Sequence, residues 1–368
     1  MSARAQYRRE AHPLTASESV QDAWSGLVEA AGANFSLAPA WTRIVAESHG
    51  LDDSVELVAV YRGSELVAAL PVFVDERRKL GLRFRTLELV GNRVSYHNSL
   101  VTVLDAGAAM DVLLEIAAEK RVDIVRLANV PDDSALAAWL DDNTLHNGFR
   151  VTRIATESSP YLPIAMSWDD LLASKPKKFR YKARKRAEAL NTEDAMSVRM
   201  YTTMDDCGDL LSAIRTIEEH SWKQAAGISV FDRDHERRYF ELLLPAIANE
   251  GAMFAHVLFR DERPIAYNLC CVHRGWVGQM KTSFDTRYST LSPGSTLIDI
   301  GIRTAIEKGA SEFDFLGDAD KHKTAWSKHI RHHTDYFLYL DASIRARILA
   351  LLKSLKSGAA NASSDGEG

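Results

Sequence analysis

The stretch that most restricts how this chain can fold runs from Gln279 to Trp326, because the hydrophobic period changes twice in and around it. Trp276 to Phe284 alternates as a strand does, and Ser292-Pro293-Gly294-Ser295 then interrupts the pattern. Leu297, Ile300, Gly301, Thr304, Ala305 and Lys308 fall on helical spacing, after which Glu312 to Leu316 returns as a second strand and a basic turn follows. A helix that opens Ser-Pro-Gly-Ser-Thr offers unpaired backbone N–H groups and the positive end of its dipole. Ser292, Gly294, Ser295 and Thr296 are therefore candidates to cradle a phosphate. The same residues also make an ordinary helix start, and it is the flanking strands that favour binding.

A chain of 368 residues suits two domains, and 46% apolar with 26% charged residues is the composition of a soluble globular protein. A formal charge of -5 argues against general nucleic-acid binding, so no DNA partner is expected. Three cysteines cannot make a disulfide framework, and MSARAQYRREAHP lacks an apolar core of the kind a secretion signal carries. No run approaches the roughly 20 apolar residues of a spanning helix. The expectation is a cytoplasmic protein.

The first half reads as helices over Ser17 to Ala31 and Pro39 to Ser48, then a hairpin of Val55 to Tyr61 and Glu65 to Phe73 around Arg62-Gly63-Ser64. Strands Leu87 to Gly91 and Asn98 to Val103 flank a polar loop, followed by helix Ala108 to Lys120 and strand Asp123 to Leu127. The order recurs later: Tyr61-Arg62-Gly63-Ser64-Glu65-Leu66-Val67-Ala68 parallels Phe259-Arg260-Asp261-Glu262-Arg263-Pro264-Ile265-Ala266, and Glu119 to Ile124 parallels Glu307 to Glu312. Duplication predicts tandem α/β units, residues 1–157 and 158–341, parted at Ser158-Ser159-Pro160, with a cleft between them. The first unit has Asp105-Ala106-Gly107 where the second has Ser-Pro-Gly, so it is expected to bind no donor. Further helices are expected at Trp168, Pro176 to Leu190, Met204 to Gln224 and Arg233 to Ala248, and a strand at Tyr336 to Leu340. Residues 342–368 close the chain with a helix over Ser343 to Leu355 and a tail of disordered composition.

Asp314 lies between Phe313 and Phe315, so alternation turns it away from both rings, and a carboxylate within a buried strand needs a partner or a task. Lys323 is the expected partner across the cleft, either as a structural ion pair or to position an amine; Trp326, one helical turn on, walls the same space or packs in the core. His220 ends a helix in Glu218-Glu219-His220-Ser221-Trp222-Lys223 and is a candidate general base near neutral pH. Lys175 to Arg186 is a dense basic run in which Arg180 and Arg184 share a face and could clamp phosphates. His322, His329, His332 and His333 have no ligand spacing that would hold a metal, and none is expected. Ile344, Ile348, Leu351, Leu352 and Leu355 make one apolar stripe that either packs on the domain, the simpler expectation, or lies in a membrane interface, with 343–356 then a peripheral contact at the inner face of the membrane.

The strand, phosphate-ready helix and neighbouring strand, preceded by a hairpin, resemble the GNAT acyltransferase superfamily. Ser292-Pro293-Gly294, Phe313-Asp314-Phe315-Leu316-Gly317, Lys323 with Trp326, and Trp168-x-x-Leu171-Leu172 followed by Arg180, Arg184 and Arg186 resemble its CelD-like and FemAB-like branch, over about Asn34 to Tyr339. The resemblance implies two tandem GNAT-like units, each a mixed sheet flanked by helices. It also implies transfer of an acyl group from acyl-CoA, as co-substrate rather than tightly bound cofactor, to an amine of a cell-envelope precursor such as an amino sugar or a long-chain lipid amine. Gln279 and Lys281 on the strand would join the helix start in holding the donor. Asp314, Lys323 and Trp326, with Trp222, Lys223, Tyr96 and His97, would face the acceptor. The donor loop departs from the usual pattern, since only Gly294 matches and Pro293 removes an amide. Two alternatives follow: an aminoacyl-tRNA-dependent transferase of the FemAB type, in which tRNA would be a partner, and a non-catalytic sugar- or lipid-binding module.

Overall fold

Two hairpins set the frame. Met253–Arg260 pairs with Arg263–His273 through a turn in which Asp261 and Glu262 take left-handed φ of 48 and 60°. In the first half, Glu56–Arg62 pairs with Glu65–Lys79 through Gly63, at φ 63°. Two-residue hairpin turns favour positive φ because it matches the twist of the strands they join. The computed structural model describes residues 7–351 apart from Leu80, Asn147, Glu193, Asp194 and Val230.

The chain forms two compact units, one of 7–157 with 332–351 and the other Ser158–Arg331. In the first, the strand order is Arg8–Pro13, Glu56–Arg62, Glu65–Lys79, Leu82–Leu89, Ile124–Pro131 and then Ile330–Leu340. In the second it is Met196–Tyr201, Met253–Arg260, Arg263–His273, Trp276–Phe284, Glu312–Asp314 and then the end of Phe149–Pro163. Each path contains one parallel pair, Leu82–Leu89 with Ile124–Pro131 and Trp276–Phe284 with Glu312–Asp314, bridged by a helix, Ala106–Glu119 or Pro293–Glu307. Parallel neighbours require such a crossover. Both units are thus mixed sheets flanked by helices, built on the same order of elements.

Several expectations change. The units do divide between Glu157 and Ser158, but Ser158-Ser159-Pro160 is not a turn: it lies within the strand Phe149–Pro163, where the Pro160 carbonyl accepts from the Phe315 amide at 3.0 Å. Proline cannot donate to a ladder but can still accept, and here pairing overrides a local turn signal. The second unit does not run to 341, because the strand Ile330–Leu340 pairs beside Ile124–Pro131 and returns the chain to the first unit. The helix after it follows: 344–351 packs Ala346, Leu349 and Ala350 on Phe84, Ile124 and Tyr339, leaving Ile344, Ile348 and Leu351 exposed. The stripe expected to pack therefore faces out, and its continuation, Leu352 and Leu355, with the tail after it, lies outside the described residues. Arg8–Pro13 and Met196–Tyr201 are strands without a clear signal in sequence, because edge strands alternate weakly.

The helix Ala106–Glu119 begins with Asp105 accepting from the Ala108 amide at 2.9 Å, so a carboxylate already occupies its positive end. The helix Pro293–Glu307 instead approaches its sheet closely at Gly301, where a Cβ would stand 2.5 Å from Asn268 Nδ2. That amide donates to the Leu297 carbonyl at 3.2 Å, and Asn268 Oδ1 accepts from Gln279 Nε2 at 2.8 Å. Gly301→Ala is expected to displace this buried chain of hydrogen bonds and cost about 1–3 kcal/mol, read as a lower thermal midpoint.

Candidate functional site

In the second unit the sheet parts at one place. Trp276, Val277 and Gly278 pair with Glu312, Phe313 and Asp314, and there the shorter strand stops. Beyond Gly278, Gln279–Phe284 keeps, among the described residues, only the strand Arg263–His273 as a ladder partner. Leu269 pairs with Lys281 and Cys270 with Gln279, so Met280 is an extra residue, a bulge that re-aims its neighbours at the opening. On the other side, Leu316 and Gly317 both take left-handed φ, 47 and 65°, and the backbone turns away from the sheet. For leucine that geometry is strained and needs surrounding structure to hold it.

The parting opens a cavity of about 600 Å³ whose described lining residues all belong to the second unit. One wall is the exposed edge from Gln279 to Phe284, the opposite wall is Phe315 and Leu316 with Lys323, and the start of the helix Pro293–Glu307 closes one end. Ser292 takes a left-handed φ of 54° and makes no side-chain cap, and proline follows it. The amides of Gly294 and Ser295, in the first turn, therefore have no intrahelical partner and, among the described residues, no side-chain cap, and both residues line the cavity. Thr296, expected to join them, turns inward: its amide and its hydroxyl both donate to the Ser292 carbonyl, at 3.1 and 3.2 Å. The cradle is shorter than the sequence suggests.

Cations gather on the walls. Lys223 is mostly buried, donates to the Thr282 carbonyl at 2.6 Å and lies 4.0 Å from Glu218. Glu218 is itself fully buried, accepting from Tyr267 Oη at 2.6 Å and Ser221 Oγ at 3.3 Å. Burial pulls the Lys223 ammonium down to about 8; Glu218 and Glu236 oppose that, while Lys281 and Lys323 add to it. Lys281 sits 3.9 Å from Glu236, and Lys323 Nζ donates to the carbonyls of Leu316 at 2.6 Å and Asp318 at 3.0 Å. Two buried polar atoms on the same wall, Gln279 Oε1 and Ser283 Oγ, have no hydrogen-bond partner among the described residues.

Asp314 corrects the central expectation. It does not meet Lys323. Its carboxylate, wholly buried, accepts from Arg331 Nη1 at 2.7 Å, Ser159 Oγ at 2.9 Å and the Leu316 amide at 2.9 Å, and it does not line the cavity. Trp326 packs in the core against Phe179 and Trp168, at ring distances of 4.8 and 5.6 Å. His220 stays off the cavity lining, and its carbonyl accepts from the amide and hydroxyl of Thr286. Arg180 donates to the Ala173 and Lys175 carbonyls, Arg184 is exposed, and neither reaches the cavity lining. Tyr96 and His97 belong to the first unit, against Trp41 and His333. Gln279, Lys281, Ser292, Gly294, Ser295, Trp222, Lys223 and Lys323 are brought together. Sequence reasoning missed Glu218 as the anchor beneath Lys223, the bulge at Met280 and His322, which stands on the cavity wall in the turn capped by Asp320. The break of the expected long helix at Ser221, which caps Trp222–Ala225, was the available signal for the first of these.

A family model described as an acetyltransferase (GNAT) domain matches residues 177–324, which hold every wall of the cavity. Over that stretch the chain is similar to GNAT acetyltransferase domains. Among solved structures it is similar to FemX, at 15% identity over 90% of this chain and 97% of that one with a TM-score of 0.61. It is also similar to a conserved protein of unknown function from Bacteroides thetaiotaomicron VPI-5482, at 13% identity over 91% and 100% with a TM-score of 0.56. These likenesses are of fold. No curated protein matches the sequence. Within this stretch Asp314 holds Arg331, Ser159 and the Leu316 amide, so Asp314→Ala should leave Arg331 without its shortest carboxylate partner and cost about 3–5 kcal/mol in chemical denaturation. Unchanged stability would show that the carboxylate does not fix the end of its strand.

Proposed function

We propose that the chain is an N-acyltransferase that moves an acyl group from acyl-CoA to an amine of a cell-envelope precursor. The observation that carries this reading is the conjunction, on one cavity, of an unpaired strand edge with the open amides of Gly294 and Ser295. An extended pantetheine arm with amide groups can pair along Gln279–Phe284 as an added strand, while the pyrophosphate lies on the helix start. Lys281 and Lys323 supply positive charge beside it.

The reaction needs a neutral amine to attack the thioester carbonyl, a place for the proton it sheds and a donor for the oxyanion that forms. Lys223 is the wall group suited to take that proton, since burial makes its neutral form accessible near pH 8 and Glu218 and Thr282 fix its position. Backbone amides of the open edge are the available oxyanion donors. The thiolate leaves as CoA, so no covalent enzyme intermediate is required. A second reading, transfer from charged tRNA, is favoured by the helix Lys177–Thr192, which leaves Lys177, Lys178, Lys182, Arg184 and Lys185 exposed.

Thiol release from acyl-CoA in the presence of amines, repeated with charged tRNA as donor, tests both. Release dependent on amine supports the first reading, product only from charged tRNA supports the second, and neither leaves a binding module. Gly294→Val should weaken CoA binding at least tenfold without unfolding the domain, since its Cβ would meet only Phe284, at 3.4 Å. Turnover should rise with pH through about 8, as Lys223 loses its proton, and then level off. Lys223→Met should flatten that profile and lower kcat by about 10²–10⁴. Unfolding should not explain the loss: with its folded pKa depressed, Lys223 costs stability below about pH 8 and that cost fades as pH rises toward the ordinary lysine value.

A further inference from the structure

The helix over 344–351 is apolar on two opposite faces. Ala346, Leu349 and Ala350 are buried against Phe84, Ile124 and Tyr339, and Ser343 caps the start by accepting from the Ala346 amide at 3.1 Å. On the other face Ile344, Ile348 and Leu351 are 66, 42 and 58% exposed and fall at i, i+4 and i+7 along one stripe. At 100° per residue Arg345 and Arg347 come on either side of that stripe. Arg345 also donates to the Arg83 carbonyl at 3.3 Å, which brings the exposed Arg83 to the same edge.

We propose that this face docks on an anionic membrane surface, with the apolar stripe in the interface and the flanking arginines at the level of the lipid phosphates. Charge decides against a second copy of the chain as the occupant. From Ser343 to Lys356 the sequence has four basic residues, Arg345, Arg347, Lys353 and Lys356, and no acidic one, so a self-paired contact would set like charges against each other. The nearest acids are engaged elsewhere: Asp123 accepts from Ser343, Asp341 lies 4.0 Å from Arg150, and Glu76 lies 3.7 Å from Arg85. A stripe of large aliphatics rimmed by arginines is the arrangement that lies in a headgroup layer, the long side chains reaching outward to phosphate. The inference is independent of the acyl-transfer reading.

The full-length protein should sediment with phosphatidylcholine vesicles that contain phosphatidylglycerol, sediment about tenfold less with phosphatidylcholine alone, and be released as salt is raised. Ile344→Asp with Ile348→Asp should lower binding to the mixed vesicles at least tenfold with an unchanged thermal midpoint, because both side chains are exposed. Arg347→Glu should remove the preference for anionic lipid. The proposal is overturned if the protein stays in solution with anionic vesicles at low salt, if the double variant binds as well as the parent, or if the parent is a dimer that Ile348→Asp dissociates.

Discussion

The site depends on where one short strand ends. Asp314, in a position no water reaches, gathers Arg331, Ser159 and the Leu316 amide around its two oxygens, and the backbone then turns out of the sheet through two left-handed residues. A buried carboxylate is tolerable only with its charge matched and its lone pairs met, so this arrangement holds as a whole or not at all. With the strand stopped there, the neighbouring strand keeps a free edge, and the bulge at Met280 widens the gap. Every cavity wall follows from that parting.

The chemistry around the opening is ordered by desolvation. Lys223 is held by a carbonyl and backed by a buried carboxylate, which fixes its position while burial weakens its hold on a proton. Lys281 and Lys323 are more exposed to the cavity and keep the character of point charges. Under the proposed acyl transfer, one enclosed amine beside two cations on the cavity wall would separate a role in proton movement from a role in holding anions. The helix start completes the division, since its two open amides can meet an anion without titrating.

The fold was legible where local pattern and tertiary context agree. Trp276–Phe284 is read from alternation alone, and the helix from Pro293 from its period and its proline. The repeat of hairpin, strand, helix and strand is likewise visible in paired short segments. What sequence could not supply is pairing at a distance. Arg331 reaches Asp314 from a strand whose start looks polar, through Arg331-His332-His333, and Lys323 was the nearer basic residue along the chain. Glu218 stands at a helix end, and only the fold brings Tyr267 over it. The bulge at Met280 has no glycine to announce it. In the helix over 344–351, Ala346 and Ala350 pack beside Leu349 against Phe84, Ile124 and Tyr339, whereas hydrophobicity alone favours the larger stripe opposite.

The two units also differ in how the chain completes them. Ser158–Arg331 is one uninterrupted segment, and all its strands are present once Arg331 has been made. The first unit needs the strand Ile330–Leu340 beside Ile124–Pro131, although its other strands are synthesised long before. During synthesis the N-terminal sheet therefore stands with an unpaired edge while the unit that carries the cavity is being finished. Its closure is a late, long-range event that carries the loop entropy of the whole intervening domain. Vectorial folding from the ribosome thus inverts the sequence order: the later unit can be whole first, and the earlier one is sealed by the end of the chain.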